Sequence, residues 1–380
     1  LNVVTLTHRS FRVGFLRPLS RRLVTLDPRS IDSKPSTTDA TIFNENFDDF
    51  LKQQYQPERE EFTYQLDNEW CRPPELPPIN YENCNKEDVF NKIPIFGGLT
   101  NALKFLLLSA ISSLEDGEKC FFIDERQSHF PNHFFETLFE PIGLNEKSDM
   151  VRRATTHPRH PHTLHWYAVW NDLEKRRVEN SVNNIDALNY ENVEGHDLKR
   201  NMLKRIWRPL PEIRHKSCEK LEEYVQDEDY IAISMREGDK ETEGFIFATA
   251  QQYIDKITEV ASEHFGDQVP LIFAATDTCD PVKRLRRLKP EWRIVSECDR
   301  IDQQGFLLRD HFKWTGGELR QHYEKFFIEL FAMAGAKVWI GVSYTNVSWW
   351  VYFMRKKTEV KSFYIIDTMG GGTKSIPQMW

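Results

Sequence analysis

The 380-residue chain has no run of the ~20 consecutive apolar residues that a membrane-spanning helix requires. The longest apolar stretch of its N-terminal half, Leu103 to Ile111, is broken by Lys104 and Ser109 and predicts a buried helix. CxxC pairs and zinc-ligand spacings are missing among the six cysteines, Cys71, Cys84, Cys120, Cys218, Cys279 and Cys298. No internal repeat occurs, so a stacked-repeat architecture is not expected. A positive balance is also lacking. The net charge of −8 excludes the broad cationic surface of a general nucleic-acid binder. No acidic residue precedes Asp27 in a start rich in Arg, Ser and Thr, a composition that suits a stem or targeting segment better than a packed domain.

What is present is ordinary for a globular protein: 40% hydrophobic, 28% charged and 13% aromatic residues, with ten tryptophans. The length exceeds that at which one core stops growing, so two domains are expected after the N-terminal segment. The run WCRPPELPP, Trp70 to Pro78, reads as a stiff connector because closely spaced prolines forbid helix. Boundaries are expected at residues 1–70, 71–225 and 226–370. An even cysteine count suits an oxidising lumen, with Cys71 and Cys84 spaced to close a short Pro-rich loop, and six buried thiols fit equally well.

The segment Ile93 to Glu125 places a Gly pair, Gly97-Gly98, before an apolar helix and a short strand, Cys120 to Ile123, as in part of a βαβ unit. From Tyr230 the pattern becomes regular. Strands are expected at Tyr230–Met235, Leu271–Ala275, Trp292–Val295, Val338–Val342 and Phe363–Ile366. Helices are expected at Ala248–His264, Val282–Leu288, Glu318–Gly335 and Val347–Lys356. Continuous apolar strands alternating with helices predict an α/β fold with a doubly wound, mostly parallel sheet in the C-terminal domain. Ligands of such sheets sit beyond the carboxyl ends of the strands.

Those ends carry the polar residues. Arg236, Asp239, Lys240 and Glu243 follow the first strand, Asp277 the second, and Ser343, Thr345 and Asn346 the fourth, where a helix opens. An arginine fork, a helix N-terminus and hydroxyl groups can together receive a diphosphate, and Gly97-Gly98 would let backbone approach it. Asp277 could accept from a base edge or a ribose hydroxyl, and Glu243 or Asp239 can serve as a general base. His157, His160, His162 and His165 are irregularly spaced in a Pro-interrupted loop, and no metal is expected there. The run KRLRRLK, Lys283–Lys289, reads as the solvated face of a short helix. The sequon Asn346-Val347-Ser348 falls within the expected pocket and should stay unmodified.

SMREGDKETE resembles the (H)xRRxDKxxxE segment of the α1,6-fucosyltransferases and the R-x-G-D pattern shared with α1,2-fucosyltransferases. AATDTCDP is similar to their ATDDP, and FFIELFAMAGAKVWIGVSYTNVSWW to the stretch that carries an acid, a strand and a hydroxyl-rich turn. IFGGLTNALKFLLLSAI and IWRPLPEIR resemble their Gly-rich loop with its helix and a connecting segment. The likeness spans roughly residues 93 to 367 and extends to the O-fucosyltransferases of the same superfamily.

This resemblance implies a GT-B-like pair of Rossmann-type domains, 71–225 on the acceptor side and 226–370 on the donor side. It implies GDP-fucose as donor substrate, no cofactor or metal, a glycan or glycoprotein acceptor, and a Golgi or other secretory lumen. Membrane attachment would come only through an N-terminal anchor. By the same resemblance Arg236 matches the arginine on the donor phosphate, Asp239, Lys240 and Glu243 the D-K-acid set, Asp277 the first aspartate of ATDDP, and Glu329 the acidic helix residue. Thr345 and Asn346 match the phosphate-binding turn.

The departures are Glu237 where the family has a second arginine, Thr278 in place of a second aspartate, and an acid one residue early. They raise an alternative, a catalytically inactive nucleotide- or glycan-binding relative. About a dozen residues follow the last expected strand, where the animal-type enzymes this chain resembles carry a further domain, so a smaller or different acceptor, or loss of transfer to the N-glycan core, is expected.

Overall fold

Five apolar runs pair into one all-parallel sheet ordered β5-β4-β3-β6-β7. They are β3 (Tyr230–Met235), β4 (Leu271–Thr276), β5 (Ile294–Val295), β6 (Val338–Gly341) and β7 (Phe363–Ile365). A separate parallel pair is formed by β1 (Asn91–Pro94) and β2 (Phe121–Asp124). The computed structural model describes residues 68–74, 91–94, 99–100, 103, 107, 121–124, 137–140, 195–238, 247–266, 268–301, 314, 316–343 and 345–367. These belong to one compact unit, Phe62–Trp380. Among the described residues no helix is long and apolar enough to cross a membrane.

The sheet is doubly wound because its strands are apolar on both sides. Tyr230 and Ala232 of β3, Phe273 and Ala275 of β4 and Trp339 of β6 enter one core. That core is shared with α1 (Gly195–Ile206), α2 (Pro211–Val225), α5 (Gly316–Gly335) and α6 (Asn346–Met354). The alternate residues Ile231, Ile233, Met235, Ile272, Ala274, Val338 and Ile340 enter the other core, under α3 (Ala250–Phe265) and α4 (Asp280–Leu288). Period-two alternation thus feeds two apolar layers instead of one layer and solvent.

Local chemistry sets the helix ends. Thr249 and Gln252 form a reciprocal capping box at the start of α3, and Gly266 at φ 68° ends it in the left-handed conformation glycine tolerates. Pro211 and Pro281 sit in the first turns of α2 and α4, where the missing N–H costs nothing.

The expected strands recur with ends moved by a residue or two, and β2 begins one residue later than expected. Its partner β1, in the polar and proline-bearing NKIP, carried no strand pattern. Leu99, Leu103 and Leu107, four residues apart between these strands, are helical and buried, as the βαβ reading requires. Helix α2 was hidden because its buried stripe of Ile213, Ser217, Leu221 and Val225 contains a serine.

Two disulfides cross-link the described residues, joining Cys71 to Cys218 and Cys279 to Cys298. Cys71 therefore does not close a loop with Cys84, and the four described cysteines are not thiols. The 3₁₀ turn Glu69–Cys71 packs on α2, so tertiary contact sets the pairing and chain proximity does not. Asn68 and Trp70 beside it donate to Phe331 O (2.9 Å) and Met354 O (3.0 Å).

Three buried side chains meet the carbonyls at the end of helix α5. Asn68 binds Phe331 O, and the Tyr230 hydroxyl donates to Ala332 O at 2.8 Å. Arg355, 1% exposed, donates to Met333 O (3.2 Å), Ala334 O (3.4 Å), Ala336 O (2.6 Å) and Lys337 O (3.2 Å). Burial lowers its pKa to about 10, so it remains a cation at neutral pH, where the negative end of a helix favours one. Gly335 is required here, because a Cβ would come 2.6 Å from Asn68 Nδ2.

Arg355→Met should fill the volume and leave those carbonyls without donors. Urea unfolding is expected to show a loss of about 3 kcal/mol or more, with the m-value unchanged.

Candidate functional site

The strand order reverses between β3 and β6, since β4 and β5 extend the sheet one way from β3 and β7 extends it the other way from β6. A crevice opens at the carboxyl end of such a switch point. The register pairs Met235 with Thr276 and Ile233 with Ile340. Continued past the strand ends, it sets Arg236 level with Asp277 on one side and Ser343 on the other. Three predicted site residues thus meet at one edge.

Arg236 donates from Nη1 to Asp277 Oδ2. Their side chains are 17% and 8% exposed. The other oxygen of Asp277 accepts the backbone N–H of Glu237 at 3.1 Å. Asp277 therefore orients both the arginine fork and the peptide after it, and a fork held in place is preorganised for an anion. The Glu237 carboxylate is bound by Nη2 of Arg284, from the first turns of α4.

Directly behind Asp277 lies a buried pair. Glu329 of α5 accepts the N–H of Thr276 at 3.1 Å and Lys325 Nζ at 3.2 Å, and Lys325 also donates to Thr276 O at 2.8 Å. Both backbone groups of Thr276, the last residue of β4, are thereby fixed to α5. Burial is the main cause that pushes the Glu329 carboxyl up to about 7, against the opposing pull of Lys325 and the Thr276 N–H. Glu329 is 6% exposed, so it reaches the edge only through Thr276.

At β6, Ser343 donates from its backbone N–H to Asp367 Oδ1 at 2.5 Å and from its hydroxyl to Asp367 Oδ2. Thr345 caps α6, its hydroxyl accepting the Val347 N–H at 3.2 Å. Asn346 is the first residue of that helix and is partly exposed, while Ser348 of the sequon is buried and donates to Val342 O at 2.5 Å. The start of α4 is tied to the segment after β5 by Cys279–Cys298, two residues from Asp277. Among the described residues no group of three or more His, Cys, Asp or Glu side chains is arranged to hold a metal ion. Gly97, Gly98, Asp239, Lys240 and Glu243, like the histidine-bearing loop, lie outside the described residues.

Sequence reasoning missed Asp367, Lys325 and Arg284. Asp367 carried a usable signal, an acid directly after an apolar strand as in Asp277. Lys325 carried another, a lysine four residues before Glu329 on an otherwise apolar helix. Arg284 stood in a run read as solvated, and it is the member of that run that turns toward the site.

These features define a doubly wound α/β protein with a charged, hydrogen-bonded edge at its switch point. No family model matches the chain, and no curated sequence matches it. Among solved structures it is similar to the NodZ α1,6-fucosyltransferase of Bradyrhizobium, at 15% identity over 71% of this chain and 93% of that one, with a TM-score of 0.45. It is also similar to a mutant FUT1 of Arabidopsis thaliana in complex with GDP, at 10% identity over 73% of each chain and a TM-score of 0.44. A third likeness is to POFUT1 in complex with GDP-fucose, at 13% identity over 76% of this chain and all of that one, with a TM-score of 0.38. At these scores the likenesses add no weight to the reading of the site.

Because the folded Glu329 carboxyl titrates at about 7 instead of 4.5, the folded state binds a proton there that the unfolded chain releases. Stability contributed at this position should fall as pH rises from 4.5 to about 7, and level off above. Glu329→Gln should flatten that slope in thermal melts run across the window.

Proposed function

We propose that this chain transfers fucose from GDP-fucose to a glycan or glycoconjugate hydroxyl, with inversion at the sugar carbon and without a metal ion. The observation that carries this reading is the Arg236–Asp277 pair beside the β3/β6 switch point, level with the turn that opens α6. A diphosphate leaving group needs fixed donors for its developing charge. A held guanidinium fork and the N-terminus of a nine-residue helix are such donors. The choice of GDP-fucose among nucleotide-sugars rests on the ordered sequence motifs around Arg236, Asp277 and Ser343.

In this mechanism the acceptor oxygen attacks the anomeric carbon from the face opposite the diphosphate. The bond from that carbon to the diphosphate oxygen breaks, and its electron pair leaves with the phosphate. The acceptor proton passes to Glu243 or Asp239. Arg236, with the α6 N-terminus at Thr345 and Asn346, receives the charge, while Asp277 holds the Arg236 fork and Asp367 holds Ser343. Lys240 belongs with Asp239 and Glu243 in the catalytic set, and Gly97-Gly98 would allow a close backbone approach. Glu329 acts as a positioning residue, through Thr276. Residues 71–225 would present the acceptor and 226–370 the donor. Two disulfides support a secretory lumen such as the Golgi as the working compartment.

GDP should raise the melting temperature, since a ligand of the native state stabilises by mass action, and EDTA should leave that shift intact. Loss of the shift in EDTA would overturn the metal-free mechanism. Arg236→Ala should reduce transfer by about 100-fold or more. Arg236→Lys keeps a cation beside Asp277 but lacks the fork, and is expected to show a similar loss with near-native stability. Full activity of the lysine variant would refute the assignment.

A further inference from the structure

The net charge at the end of β3 is negative until one more residue is counted. Arg236 is matched by Asp277, and Glu237 then adds a negative charge at the next position. Left unmatched, that carboxylate would stand beside any diphosphate held by Arg236. It is matched by Arg284, whose Nη2 binds Glu237 Oε1 from α4.

We infer that Arg284 is a specificity-determining residue of this site: by neutralising Glu237 it lets the edge accept a nucleoside diphosphate. The inference rests on the donor reading above and extends it to a residue outside the strand ends.

The placement of Arg284 is built in. The α4 start is held by Pro281, the Asp280 first turn and the Cys279–Cys298 link. Val282 and Leu285 are buried against the sheet, which sets the helix rotation and turns Arg284 toward Glu237. Arg286 leaves on another side, to Asp299 and to Ile294 O at 2.8 Å, so it does not substitute. Glu237 is fixed from its own side, because its N–H is bound to Asp277 at 3.1 Å. Arg284 is 42% exposed, so the pair adds little to stability and its effect is on the local field.

Titration calorimetry with GDP and with inorganic diphosphate, on wild type, Arg284→Ala, Glu237→Gln and the double variant, tests this. Arg284→Ala should weaken both ligands about tenfold at low salt, and less as salt screens the exposed charge. Glu237→Gln in the Arg284→Ala background should recover most of that loss, which a packing role for Arg284 would not allow. In turnover the donor KM should move and kcat should stay nearly constant. Arg284→Lys should bind close to wild type, which separates charge from any misfolding of the alanine variant. Unchanged binding in Arg284→Ala, or a double variant as weak as the single, would overturn this inference alone. A wild-type protein that takes up neither GDP nor diphosphate would remove the donor reading along with it.

Discussion

A helix end leaves its last carbonyls without intrahelical partners, and here the buried Arg355 guanidinium supplies them. The cation is desolvated, and carbonyl dipoles at the negative end of α5 offset that cost, with Glu359 adding a favourable field. Asn68 and Tyr230 complete the clamp from two other parts of the chain. With its C-terminal end fixed, α5 lies across the sheet as a strut. Further along it, Lys325 and Glu329 grip the backbone of Thr276, the last residue of β4. The position of Asp277, and so of Arg236, follows from where that helix is seated.

The fold was legible wherever burial is complete on both faces. β3 and β4 are buried at every residue, and a continuous apolar run has few other readings than a central parallel strand. Legibility failed where packing used polar or small residues. NKIP pairs as β1 without an apolar pattern, and the Ser217 position interrupts the stripe of α2. The cysteine partners could not be read either, since Cys71 and Cys218 are 147 residues apart and meet only after folding.

For the site, the convergence of Arg236, Asp277 and Ser343 was readable because strand ends in a parallel sheet share one edge. The connections among them were not. That Asp277 holds Arg236, that Asp367 holds Ser343 and that Glu237 turns to Arg284 depend on side-chain directions and register. The Glu237 carboxylate is held by a cation from the neighbouring helix, Arg284 of α4.

The two apolar layers differ in their chromophores. Trp70, Trp207, Trp339, Trp349 and Trp350 all belong to the layer under α5 and α6, where Trp207 and Trp350 have centroids 5.8 Å apart and Trp339 stacks on Phe363 at 4.0 Å. Among the described residues the opposite layer, under α3 and α4, has only the partly buried Trp292 at its border. Among the described residues, tryptophan therefore reports on one side of the sheet far more than on the other. Loosening of α4, the helix that carries Arg284, would be reported by Trp292, whose ring centroid lies 5.3 Å from the ammonium of Lys289 at the end of that helix.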